Sequence, residues 1–263
     1  MNHLLRVRDD VSQQANYIPD LNRHNFQWLS KLNIDILVNS IDPTEPVVLS
    51  MVLNIDCRHS NLTLDGGYIK PTPLTPALTD VKLLFAGCSP VNEPFKSDFG
   101  RALHFLDTLL DAHRNPGIGW KACGFTFNDF GSKRFITLTH SLFNPINAQT
   151  LTSSTSRIYH DRYNVWSTAG WPFSSARARQ ERLSILNHTT HTVNPLPLHN
   201  ILIASPEDYT SVLSNKPIVV DFTLQHSVDI IDKIDTFEGV IVGLHPIEAL
   251  DTTADDLIRR YFS

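Results

Sequence analysis

The sequence predicts a mixed α/β fold: a larger α+β region over residues 1–198 and a small parallel β-α-β-α-β-α segment over 199–263, which can belong to the same domain. Three observations predict it. In the C-terminal segment, apolar runs at Ile201–Ala204, Ile218–Phe222 and Val240–Leu244 are each followed by polar helix-start residues, as in buried parallel strands joined by helical crossovers. Near the N-terminus, Ile34, Ile36 and Val38 alternate with other side chains in strand fashion. Between these regions Phe99, Leu103, Leu106 and Leu110 recur at the spacing of a helix that buries one face.

In chain order, Asp20–Leu32 is expected to be a helix with Leu21, Trp28, Leu29 and Leu32 on one side. Strands follow at Ile34–Val38 and Val47–Ile55, and Leu62-Thr63-Leu64 runs as a strand into a turn at Asp65-Gly66-Gly67. Lys70–Asp80, with its prolines and threonines, is loop-like. The clearest helix spans Asp98–His113, capped by Ser97 and stopped by Asn115-Pro116-Gly117. Asn144–Ser156 is again loop-like, and a further helix is expected to begin near Ser174 or Ser175. In the C-terminal segment Ser205 can cap a helix opening on Pro206, with Glu207 and Asp208 at the positive end of its dipole. Ser227 can cap a helix carrying Val228, Ile231 and Ile234, and Thr253 with Asp256 resembles a capping box, with Arg259 and Arg260 in the last turn.

A chain of 263 residues buries roughly three quarters of its unfolded surface, so it needs no disulfide staples. Cys57, Cys88 and Cys123 are odd in number and far from any C-x-x-C pairing, which points to a cytoplasmic or other reducing intracellular compartment. Met1–Asp10 lacks the apolar core of a secretion signal, and no apolar run is long enough for a transmembrane helix. The formal charge of −5 disfavours general adhesion to nucleic acid or anionic lipid, so any such contact must be local.

Charge is distributed unevenly. Between residues 133 and 182, Lys133, Arg134, Arg157, Arg162, Arg177, Arg179 and Arg182 stand against Asp161 and Glu181, a net +5 that leaves −10 elsewhere. Phe135, Phe143, Tyr159, Tyr163, Trp166, Trp171 and Phe173 are interleaved with these cations. Guanidinium groups hold phosphates and flat rings stack on bases, so the stretch is a candidate nucleic-acid or partner-binding surface, with Lys133, Arg134, Arg157, Arg162, Tyr163, Trp166, Arg177, Arg179 and Arg182 as its contacts. The competing role for the same residues is internal: arginines paired with the acidic remainder and rings in the core.

Other constellations are sparser. His188-Thr189-Thr190-His191 with His199 downstream is a weak candidate metal group, because the spacing is not that of a zinc-binding helix and Pro195 and Pro197 interrupt it. His104, Asp107 and Asp111 share a helix stripe that reads as a solvated face, whereas His113 falls on the apolar side as a buried, hydrogen-bonded histidine. If the C-terminal strands are parallel, Ser205, Asp221, Thr223, His226 and His245 lie at their carboxyl ends, and Asp221, His226 and His245 are weak catalytic candidates. No Gly-rich phosphate loop or Gly-x-Ser-x-Gly elbow accompanies them, so no cofactor is expected. Asp56-Cys57-Arg58-His59 is a further polar cluster with no motif around it.

These features are those of a non-catalytic structural or adaptor component of a larger assembly, viral or ribonucleoprotein in character, that meets nucleic acid or an acidic protein through 133–182. An α/β enzyme, acting by metal-assisted or acid-base hydrolysis on a small substrate at the strand ends of 199–263, is the alternative.

Overall fold

The computed structural model describes residues 3–13, 16–73, 75–117, 119–129, 133–145, 168–188, 191–199, 205–214 and 216–247. Four α-helices lie among them: α1 (His3–Ser12), α2 (Phe95–Asp111), α3 (Ala176–His188) and α4 (Tyr209–Leu213). The strands are β1 (Phe26–Lys31), β2 (Ile34–Asn39), β3 (Leu49–Ile55), β4 (Lys82–Cys88), β5 (Lys121–Cys123), β6 (Thr126–Asn128), β7 (Arg134–Ser141), β8 (Phe143–Pro145), β9 (His191–Val193), β10 (Pro217–Asp229) and β11 (Ile234–Pro246). The mixed α/β class predicted from sequence is therefore the class observed.

The main sheet closes on itself. β3, β4, β7, β11 and β10 pair in that order, and β10 returns to β3, so five strands form a ring. The pairs are antiparallel except for β11 with β7, which runs parallel. Side chains alternate across the ring as a barrel requires. Met51, Leu53 and Ile55 of β3, Phe85 of β4, Leu138 of β7 and Val220, Phe222 and Leu224 of β10 enter the main core, joined there by Leu106 and Leu110 of α2. Val52 and Val219, of opposite parity, pack instead with Val7 and Val11 of α1. Ala86, Cys88 and Phe135 make a third, smaller cluster.

The β1–β2 hairpin extends the sheet beyond this ring, meeting the far half of β10 through Ile36 opposite Gln225 and Asp35 opposite His226. β5 and β6 pair with β11 and β7 respectively.

Two expectations are corrected here. The C-terminal segment is not a set of parallel strands with crossover helices: Ile218–Phe222 and Val240–Leu244 are strands, but they sit in one long antiparallel hairpin, β10–β11. The residues read as a middle helix are strand and turn, with Ser227 opposite Thr236 and Lys233 in the left-handed region at φ 54°. Their near-helical spacing of Val228, Ile231 and Ile234 arises from an apolar turn, not from a buried face. Likewise Asp20–Leu32 is not a helix: short 3-10 turns at Ile18–Asp20 and Arg23–Asn25 lead directly into β1.

Other expectations are met. Ser205 accepts from Glu207 N–H and caps the turn that leads into α4. α3 begins just after Ser175, whose Oγ accepts the Ala178 N–H, while the buried Asp65 carboxylate accepts from Ser174 N (2.8 Å) and Ser175 N (2.5 Å). That carboxylate sits at the positive end of the helix dipole. Ser97 is the exception: it does not cap α2, which starts at Phe95, but lies in its first turn, bonded to Glu93. Ile201–Ala204, Thr253, Asp256, Arg259 and Arg260 lie outside the described residues.

Candidate functional site

A cluster of ionisable side chains forms where the β1–β2 hairpin joins β10. Register alone places Asp35 across from His226, and Ser30 across from Asp35 on the other side. Asp235 of β11 is the diagonal neighbour of His226, one pleat from the directly opposed Phe237. The chain leaving α2 then supplies His113 and Asn115, which reach Asp35 and Asp235.

His226 is buried, and each of its ring nitrogens faces a carboxylate: Nδ1 lies 3.0 Å from Asp35 Oδ2 and Nε2 3.0 Å from Asp235 Oδ1. Asp235 also accepts from Asn115 N–H (3.1 Å) and Nδ2 (2.6 Å). Asp35 Oδ1 accepts the Ser30 hydroxyl at 2.5 Å, while Oδ2 is shared with His113 Nε2 at 2.9 Å. The His113 ring stacks on Trp28, centroids 4.7 Å apart. Burial pushes the Asp35 carboxyl up, but hydrogen bonds from Ser30, His226 and His113 outweigh it and bring it down to about 2. Asp235 is lowered too, burial being overcome by Asn115 and His226. Asp35, His113 and His226 each offer one ligand atom, all within 4.8 Å of one another.

A second cluster lies farther back along β10. Asp221 stands opposite Ser50 of β3 and Gly243 of β11. It accepts from Ser50 Oγ at 2.5 Å, and its Oδ2 lies 2.9 Å from His245 Nε2. His199 stacks on His245 with centroids 4.3 Å apart. Burial would raise Asp221, yet His245 and Ser50 hold it below the usual carboxylate range; burial and the neighbouring His245 push His199 down. This is not an arrangement that activates a nucleophile, because the hydroxyl donates to the carboxylate and not to an imidazole.

The three residues proposed as catalytic are thus divided: Asp221 and His245 meet in one cluster and His226 belongs to the other. Of the proposed metal histidines, His199 joins Asp221 and His245, His191 lies on β9 opposite Pro145, and the His188 side chain is outside the described residues. Asp35, Asp235, Asn115 and Ser50 were missed: register between distant strands brings in Asp35, Asp235 and Ser50, and the chain leaving α2 brings in Asn115. His113, expected as a buried, hydrogen-bonded helix residue, is hydrogen-bonded but part-exposed and lies just beyond the end of α2.

Residues 133–182 are engaged largely within the molecule where they are described. Arg134 forms a two-pronged pair with Asp107, and Arg177 Nε donates to Glu181 Oε1 at 2.6 Å. Glu181 is itself held by Tyr68 Oη and Leu78 N–H. Lys133 Nζ lies 3.8 Å from Asp56 and 5.2 Å from the Phe135 ring centroid. Arg182 donates to the Ala169 and Trp171 carbonyls. Phe135, Phe143, Trp171 and Phe173 are core residues. Arg179 is exposed, and among the described residues its guanidinium has no side-chain partner. Arg157, Tyr159, Arg162, Tyr163 and Trp166 lie outside the described residues. Of the helix stripe, His104 and Asp111 are exposed, Asp111 pairing with Arg114. Asp56, the one buried member of its cluster, is gripped by Arg58.

No protein-family model, curated protein or solved structure matches this chain. Among the described residues no helix is long and apolar enough to cross a membrane.

Proposed function

We propose that the protein is a non-catalytic component of a larger assembly, and that it assembles through the paired tips of its β1–β2 and β10–β11 hairpins, with a second copy of this chain as the occupant. The supporting observation is the exposure of large apolar side chains at both tips: Leu32 (105% exposed), Ile230 (78%) and Ile231 (93%), flanked by Ile34 and Val228. β2 and β10 run antiparallel through Asp35–His226, so continuing both strands outward brings the Leu32 turn beside the Ile230–Ile231 turn. A soluble surface has no reason to cluster such residues unless something covers them.

The charge around the tips favours a second copy. Exposed Lys31 and Lys233 alternate with exposed Asp229 and Asp232, so the rim carries both signs and can pair with itself under a two-fold axis. Each large apolar side chain fully buried contributes about 1.5–3 kcal/mol, and several per copy offset the roughly 4–15 kcal/mol that association costs.

Contact with nucleic acid or an acidic partner through 133–182 is the second reading, and Arg179, exposed and without a side-chain partner among the described residues, favours it. Sedimentation velocity over a concentration series separates the two. Self-association is expected for the full chain and is expected to vanish in Leu32→Asp combined with Ile231→Asp, with the thermal midpoint unchanged. A wild-type chain that stays monomeric throughout, or a variant that associates as the wild type does, overturns the proposal. A monomer that shifts only when single-stranded oligonucleotide is added, and loses that shift in Arg179→Ala, replaces it with the second reading.

A further inference from the structure

We infer that Asp35, His113 and His226 are the ligands of a divalent transition-metal site, set at the joint between the β1–β2 hairpin and the barrel.

The geometry is close to that of a bound ion. Metal–nitrogen and metal–oxygen bonds of about 2.0–2.2 Å in a tetrahedron place neighbouring ligand atoms roughly 3.3 Å apart. Asp35 Oδ2 is already 2.9 Å from His113 Nε2 and 3.0 Å from His226 Nδ1, and all three atoms lie within 4.8 Å of one another. Admitting an ion would therefore require both Asp35–imidazole contacts to open slightly, to about 3.3 Å.

The surrounding residues do what the outer shell of a metal centre does. A ligating imidazole needs its other nitrogen to donate to a carboxylate or carbonyl, which fixes its tautomer and aim. His226 Nε2 faces Asp235 Oδ1 at 3.0 Å, and Asn115 clamps that carboxylate. Ser30 holds the free oxygen of Asp35, and Trp28 fixes the plane of His113. Each proposed ligand is thus oriented by a separate neighbour.

Asp35 and His113 are part-exposed while His226 is buried, so two of the three proposed ligands are in reach of solvent. Two imidazoles and one carboxylate suit zinc, cobalt, nickel or iron and disfavour calcium and magnesium, which take oxygen ligands.

The inference is independent of assembly at the hairpin tips and is tested separately, by titrating zinc into the metal-free full chain and following heat and thermal midpoint. One zinc per chain is expected, with a raised midpoint in the wild type. His113→Ala, at the part-exposed edge, is expected to fold as the wild type does without metal and to lose the zinc-dependent rise. Asp235→Asn is expected to keep one-to-one stoichiometry with affinity lowered about 10–100-fold, as for loss of an outer-shell partner. Absence of stoichiometric binding to the wild type overturns the site. So does zinc binding of equal affinity in His113→Ala, which would place the ion elsewhere.

Discussion

At Asp98, a single carboxylate ties three stretches of chain. It is buried, and it accepts from Tyr17 Oη at 2.7 Å, from Arg8 Nε of α1 at 3.1 Å and from Arg101 of α2, while Asp20 shares both arginines. Burial raises its proton affinity, but the bonds from Arg101, Tyr17 and Arg8 together hold it below the usual carboxylate range. Its folded pKa thus lies below its unfolded value of about 3.9. The unfolded chain binds the proton first as pH falls, so stability that is complete above that value is lost on acidification toward the folded pKa. The urea midpoint is expected to fall between about pH 6 and about pH 3, and to fall less in Asp98→Asn, which is the less stable protein at the upper pH. Equal slopes in the two proteins would show that Asp98 does not carry the linkage. Residues such as this one were hidden from a reading of the sequence, since Tyr17, Arg8 and Asp98 share no local pattern. His113 was visible in part: helical spacing put it on the packed side, though the helix ends at Asp111 and the ring stays part-exposed.

At the scale of the element, glycines mark where the chain changes partner. Gly124 stands between β5, which pairs with β11, and β6, which pairs with β7. Its φ is 101°, and a Cβ there would lie 2.6 Å from the Phe237 carbonyl oxygen. Gly124→Ala is expected to destabilise by more than about 1 kcal/mol, measured as a lower urea midpoint, since both the left-handed backbone and the contact oppose it. An unchanged midpoint would mean that the crossing relaxes freely. Elements with strong local signals were legible: α2 from its leucine spacing, β2 and β3 from their apolar runs, and the start of α3 and the turn leading into α4 from capping serines. The β10–β11 hairpin was not, because its turn, Ile230–Lys233, contains neither glycine nor proline and presents isoleucines where a polar turn is the rule. The apolar character that disguised the turn is the same property that marks it as a contact surface.

Closure of the barrel belongs to the whole molecule and could not be read from any one segment. Predicted parallel strands and the observed hairpin share the same apolar runs; what distinguishes them is that β10 is long enough to pair with β3 by one half and with β2 by the other. Closure leaves no open edge among the five ring strands and projects the two hairpins together, so the apolar tips become a single feature. The charge asymmetry of 133–182 was legible as composition, but its described cations are largely matched by carboxylates and carbonyls, some within the segment and Asp107 from outside it. The most direct test is site-specific photo-cross-linking from a benzophenone amino acid placed at position 231 of the full chain, with isotopically light and heavy copies mixed before irradiation. Mixed-isotope cross-links joining position 231 to residues 31–34 or 228–233 of a second copy are the predicted result. Products confined to a single chain, or links that fall within 133–182, would contradict it.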